Sequence, residues 1–212
     1  MGARTERMVV AVAATVLPLL MACRMAGGAP AHPVAPPRVS PAPGAESVAY
    51  GRLEQQAAQY MALRRAATAD VPALVPKADA ATILSHQRAQ AAAIRARRAG
   101  VRPGELFTPD VAPIIARVVR EELTKMGEER KKVTRENPRA ETPTTPVALK
   151  IDAEYPEEAS LSTVPAGLLL RLPRLPSGLE YRFVGRHLVV RDVDANTIVD
   201  YLVNVVPSGG AP

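Results

Sequence analysis

The spacing of apolar residues changes character several times along the chain. Residues 8–22 form an unbroken, uncharged apolar run, MVVAVAATVLPLLMA. The stretch after it loses all period and is broken by Pro30, Pro33, Pro36, Pro37, Pro41 and Pro43. From about Ser47 the spacing becomes helical, with Tyr50, Leu53, Ala57 and Tyr60 on one stripe. Gly51 is a weak point in that helix, at roughly 1 kcal/mol against alanine. Pro72 and Pro76 end it. A second helix is predicted over residues 80–99, with Asp79 as its N-cap and Gly100 as its stop. Its inner stripe, Ile83, Gln87, Ala91 and Ile94, is thin and set among alanines. The third helix follows Phe107-Thr108-Pro109-Asp110, where either Thr108 or Asp110 serves as the cap. Val111, Ile114, Ile115, Val118, Val119, Leu123 and Met126 make its apolar stripe. Glu121 with Lys125, and Glu128 with Lys132, add i,i+4 pairs in the favourable order. Asn137-Pro138 closes the element.

After a linker, RAETPTTP, the period becomes two. Val147, Leu149, Ile151, Ala153 and Tyr155 alternate with polar or small residues, which predicts a half-buried strand. Ser162, Thr163 and Pro165 start a short helical turn through Leu168, Leu169 and Leu170, stopped by Pro173 and Pro176. Leu179, Tyr181 and Phe183 then share one face of a strand, Gly185-Arg186 makes a tight turn, and HLVVRD returns. Asp194-Ala195-Asn196 makes another turn. Residues 198–206 are dense in β-branched residues and read as a strand. A helix capped by Asp194 remains open there, with Ile198, Leu202 and Val205 on one side.

The fold class is therefore α+β. An antiparallel bundle of about three helices precedes a small antiparallel β-meander, covered by the Leu168–Leu170 turn and filled largely by Tyr181, Phe183 and Tyr201. The organisation reads as a signal peptide at 1–22, a Pro/Ala-rich tether at 23–45 and a helical region at 46–138. A linker at 139–146, a small α+β region at 147–206 and a tail at 207–212 follow.

Arg4 and Arg7 precede the first apolar run, which is shorter than the ~20 residues that span a bilayer. A basic start, a short apolar core and small residues beyond it describe an export signal. Cys23, the one cysteine of the chain, stands directly after Leu20-Met21-Ala22. That string resembles a bacterial lipobox, in which the thiol takes a diacylglycerol and becomes the new N-terminus. Each buried CH₂ of such a chain contributes ~0.8 kcal/mol to anchoring. The competing reading places ordinary cleavage at Ala29-Pro30-Ala31 and leaves a soluble periplasmic or secreted protein. The proline-rich stretch then spaces the folded part from a membrane, with His32 solvated within it.

Composition narrows the chemistry. One cysteine excludes an internal disulfide framework and multi-cysteine zinc or iron–sulfur sites. Aromatic residues are 3% of the 212, too few for a base-stacking surface, and export argues against a nucleic-acid partner. The net charge of +6 lies in the leader and the helices, while the C-terminal region is mildly acidic. Arg95, Arg97, Arg98 and Arg102 crowd the end of the second helix. They read as cations matched to the helix dipole, with an anionic envelope polymer or lipid head groups as the alternative partners. Ser85 and His86 are adjacent on a helix and point apart, and His187 starts a strand. No nucleophile–base pair, phosphate-cradling loop or zinc-ligand spacing occurs. Asp192, Asp194 and Asp200, with Glu157 and Glu158, suggest a weak divalent site at one end of the meander. Their reading as turn and edge residues is preferred. No catalytic, cofactor-binding or metal residue is assigned, and no cofactor is expected.

Two stretches carry a resemblance. AAAIRARRAGVRPGELFTPDVAPII and YPEEASLSTVPAGLLLRLPRLPSGLEYRFVGRHLVVRDVDANTIVDYL resemble an uncharacterised family of exported bacterial proteins, through the GELFTP loop and the LEYRFVG hairpin. The final meander is remotely similar to the β module of periplasmic nickel/cobalt-homeostasis proteins. These likenesses imply export and the fold, and they supply no catalytic residue. The expected function is a non-catalytic interaction or scaffold module on the periplasmic face of the cell envelope. Its expected partners are the membrane, through a lipid on Cys23, and an envelope protein or anionic polymer. The alternatives are a periplasmic enzyme with its site between the Arg102–Phe107 loop and the C-terminal acids, and a metal-handling protein.

Overall fold

A computed structural model describes residues 44–127, 149–156 and 164–206. The predicted signal, linker, tail and Glu128–Lys132 pair lie outside the described residues, as does the predicted tether up to residue 43; its last residue, Ala45, opens the first helix. The described part is α+β: four helices and a three-stranded antiparallel sheet.

Helix α1 (Ala45–Ala67) buries Leu53, Ala57 and Tyr60 of the predicted stripe, together with Ala49 and Met61, and leaves Tyr50 half-buried. Helix α2 (Ala80–Arg97) begins where Asp79 accepts the Thr82 N–H at 2.7 Å, and it ends before Gly100, whose φ of 86° suits a residue without Cβ. Its inner stripe is shorter than expected. Ala91 and Ile94 are buried, but Ile83 is 39% exposed. Both faces of α2 are rich in alanine, so periodicity marked the buried side poorly. Helix α3 (Ala112–Lys125) starts beyond both expected caps. The Thr108 carbonyl accepts the N–H groups of Val111 and Ala112, and its hydroxyl donates to Asp110 at 2.7 Å, so this stretch is a turn leading into the helix. Lys125 meets Glu122 instead of Glu121, because Glu121 is held by Arg117 and Arg171. Helix α4 (Ala166–Arg171) buries only Leu168, while Leu169 and Leu170 face outward.

The sheet runs β1 (Leu179–Val184), β2 (His187–Asp192), β3 (Thr197–Leu202), in that order. Gly185, at φ 55°, opens the two-residue turn between β1 and β2. The stretch after Asn196 is thus a strand and not a helix. Its pairing with β2 slips by one: Val190 faces Asp200 while Arg191 faces Ile198, which makes Val199 a bulge. The expected strand at 147–155 is replaced, over its described residues, by a turn. The Ala153 N–H reaches the Lys150 carbonyl, and Asp152 takes φ 59°. Asp152 and Tyr155 donate backbone N–H groups to Ile198 and Asn196, so this segment borders β3 without forming a full ladder. The alternation breaks at Asp152, a polar position that is buried and turns the chain to meet a buried arginine.

One core joins helices and sheet. Leu53, Ile94, Ile115 and Val118 share it with Tyr181, Phe183, Leu188 and Val190. A second cluster lies on the opposite face of the sheet: Tyr155, Val184, Val189 and Ile198, with Leu149 and Tyr201 against them. Tyr201 therefore leaves the company of Tyr181 and Phe183.

Candidate functional site

The helix-facing side of the sheet carries charge as well as apolar surface. Arg98, Asp152, Asp192 and Asp200 are each 5% exposed or less. Burying an ion is tolerated only when partners replace its water, and each of these has them. Arg98, at the end of α2, donates to the Asp152 and Glu105 carboxylates and, at 3.2 Å, to the Val199 carbonyl. Its guanidinium lies 5.0 Å from the centre of the Tyr60 ring. Burial alone would weaken its hold on the proton, but the Glu105 hydrogen bond and the Asp152 charge prevail and keep it charged.

Asp192, at the end of β2, accepts the Tyr60 hydroxyl at 2.9 Å and the N–H groups of Asp194 and Ala195. Arg64 of α1 bridges Asp192 and Asp194 at 3.0 and 2.5 Å. Burial, reinforced by the Asp192 charge, pushes the Tyr60 phenol far up. Asp200 of β3 accepts four backbone N–H groups, from Gly104, Leu106, Phe107 and Tyr201, at 2.8–3.0 Å. The three acids thus fasten three different elements to the sheet: Asp192 takes α1, Asp152 takes the end of α2, and Asp200 takes the Gly104–Phe107 loop. Both oxygens of Asp192 and of Asp200 meet protein donors, and Asp152 meets Arg98 through Oδ1. The arrangement is a stitched seam, and it presents neither a nucleophile nor an open coordination position.

The predicted residues fall as follows. Cys23, His32, Glu157 and Glu158 lie outside the described residues. Asp192 and Asp194 meet at Arg64, but Asp200 serves a separate loop, so the acids do not converge on one end of the meander. No cluster of three or more His, Cys, Asp or Glu residues suited to a metal occurs among the described residues. The basic run divides: Arg98 is buried, while Arg95, Arg97 and Arg102 are exposed. His86 bonds to Gln90 one turn on, at 2.6 Å. His187 Nδ1 accepts the Asn204 N–H at 3.1 Å, and burial, with the Arg186 charge, lowers its basicity. Tyr60, Arg64, Arg98 and Asp152 were not singled out as partners. The available signal was Asp200, an acid within a β-branched run, which demands donors from elsewhere.

Concave surfaces open to solvent among the described residues. One is a cleft of about 40 Å³ between α2 and the β2–β3 turn, lined by Arg88, Arg95 and Asn196 among others. Another is a groove of about 400 Å³ between the α4 segment and β1, lined by Val164, Leu169, Leu175, Tyr181 and Arg182 among others. Leu170, 88% exposed, neighbours Leu169 on the same short helix. No helix among the described residues is long and apolar enough to cross a membrane. Comparison of the chain with family models, with curated proteins and with solved structures returns no match.

Proposed function

We propose that this chain is an exported bacterial envelope protein, tethered to a membrane through a lipid on Cys23, whose folded part is a non-catalytic interaction module. The leader and the lipobox-like string support export and anchoring. The observation that carries the non-catalytic reading is that the seam's charged groups face one another: Arg98, Asp192 and Asp200 are each engaged by several protein partners. Catalysis needs such groups aimed at a substrate. The enzyme alternative placed its site at the loop after Arg102, but the amides of that loop bind Asp200, and neither the cleft nor the groove is lined by residues 102–107. The exposed Leu169 and Leu170 beside the β1 groove favour docking of a partner there.

The anchor is tested by labelled palmitate in cells carrying the wild-type chain or Cys23→Ala. Label on the wild type alone, with the variant released to the soluble fraction, is expected. An unlabelled, fully soluble wild type removes the anchor. A photoreactive residue in place of Leu170 should crosslink to a defined partner in intact cells, whereas one at the exposed Val48 should not.

A further inference from the structure

We infer that the cleft between α2 and the β2–β3 turn binds a single oxyanion group of phosphate size. This does not rest on the export reading. Arg88 and Arg95 stand seven residues apart, two turns along one side of α2, and both line the cleft. Neither has a carboxylate within ion-pair distance among the described residues, in contrast to Arg98 one turn further on.

The floor adds neutral donors. Thr197 pairs with Asp192 across the sheet, so its side chain shares the helix-facing side with that acid. Thr197 is 1% exposed, and its buried hydroxyl has no hydrogen-bond partner among the described residues. Native proteins rarely leave such a group unpaired. Asn196 is aimed by Arg191, whose Nε and Nη2 both donate to its amide oxygen at 3.0 and 2.6 Å. The Asn196 amide NH₂ is then left as a donor at the cleft wall, beside Gln87.

Arg88, Arg95, Asn196 and Thr197 together line about 40 Å³ of free space. At the ~10–15 Å³ that one water needs, this holds about three waters. A tetrahedral phosphate group fits that volume, and a sugar or base ring does not. Glu154, exposed at the rim, is the acid among the lining residues, and it opposes an anion. That gives the site an effect of the opposite sign to test. The phosphate comes either free or as the head group of an anionic lipid.

The experiment is calorimetric titration of the full-length chain with inorganic phosphate, alongside co-sedimentation with vesicles of phosphatidylglycerol or phosphatidylcholine. Saturable phosphate binding is expected to fall about tenfold or more in Arg88→Gln/Arg95→Gln, since both charge-assisted contacts go. It should weaken in Thr197→Val and tighten in Glu154→Gln. Arg97→Gln removes the same charge from the same helix outside the cleft and should stay within about twofold, as screened distant charges do. Circular dichroism confirms that each variant is folded. Binding to phosphatidylglycerol vesicles alone, lost in the double variant, assigns the phosphate to a lipid head group. No saturable binding to either probe overturns the inference, and so does an Arg97→Gln effect equal to that of the double variant.

Discussion

Asp200→Asn replaces one carboxylate oxygen by an NH₂ group and changes almost nothing in shape. Each oxygen of the native side chain receives two backbone N–H groups: Gly104 and Tyr201 at 3.0 and 2.8 Å on Oδ1, Leu106 and Phe107 at 2.8 and 2.9 Å on Oδ2. An amide has one oxygen. Whichever way it is flipped, two N–H groups then face a donor. A hydrogen bond to a charged acceptor contributes about 1.5–3 kcal/mol net, so losing two removes about 3–6 kcal/mol. The surviving pair also weakens, because the charge has gone. A domain of this kind stands only about 5–15 kcal/mol above its unfolded state, so the variant is brought close to the threshold. The loss should centre on the Gly104–Phe107 loop, whose Leu106 and Phe107 are 0% and 2% exposed. Urea unfolding followed by circular dichroism measures the total, and amide exchange at Leu106 and Phe107 locates it. Asp194→Asn is the control: its side chain is 55% exposed, and its pair with Arg64 contributes no more than about 1 kcal/mol. A loss below about 1 kcal/mol for Asp200→Asn, or one no larger than the control, would refute the view that this carboxylate pins the loop.

Three further outcomes are expected. Arg98→Met strands the Asp152 carboxylate in the seam and should cost about 3–5 kcal/mol in urea unfolding, with part recovered in Arg98→Met/Asp152→Leu, where no unpaired charge remains at that position. Gly51→Ala should stabilise by roughly 1 kcal/mol, since the residue lies inside α1 and an added Cβ meets nothing within 4 Å; an unchanged or lower urea midpoint contradicts this. Stability should decline in alkali. Burial, with the Glu46 hydrogen bond, pushes the Tyr50 phenol from 10.0 to about 12, and burial also raises Tyr60, Tyr155 and Tyr181. Unfolded tyrosines ionise first as the pH rises, so unfolding releases protons and the folded state loses ground from pH 10 through pH 12. Urea midpoints at those two values, read together with tyrosinate absorbance, check the sign.

The seam explains why the helical and C-terminal parts share a core despite their difference in period and charge. Tyr60 and Arg64 of α1 reach Asp192, and the Gly104–Phe107 loop reaches Asp200. Each tie joins residues more than ninety positions apart, from segments that sequence reading treats separately. Further contacts bring α4 against α3, where Arg171 meets Glu121 and Glu122. Local spacing alone pairs Glu121 with its neighbour Lys125, since only local pairs are visible in the sequence.

By itself, the sequence determined what is local. Apolar spacing marked α1, the Asp79 cap marked the start of α2, and Gly185-Arg186 marked the hairpin, because each depends on residues within a turn or two of one another. The tertiary structure decided which face each strand residue presents, and so where the charged groups go. Strict alternation places Thr197 and Asp200 on opposite sides of β3. The bulge at Val199 inserts one residue, resets the alternation and turns both toward the helices. Asp200 thereby reaches the amides of the Gly104–Phe107 loop, and Thr197 lines the same cleft as Arg88 and Arg95. A bulge is fixed by pairing with a neighbouring strand and by what packs above it, and a chain read one residue at a time carries neither.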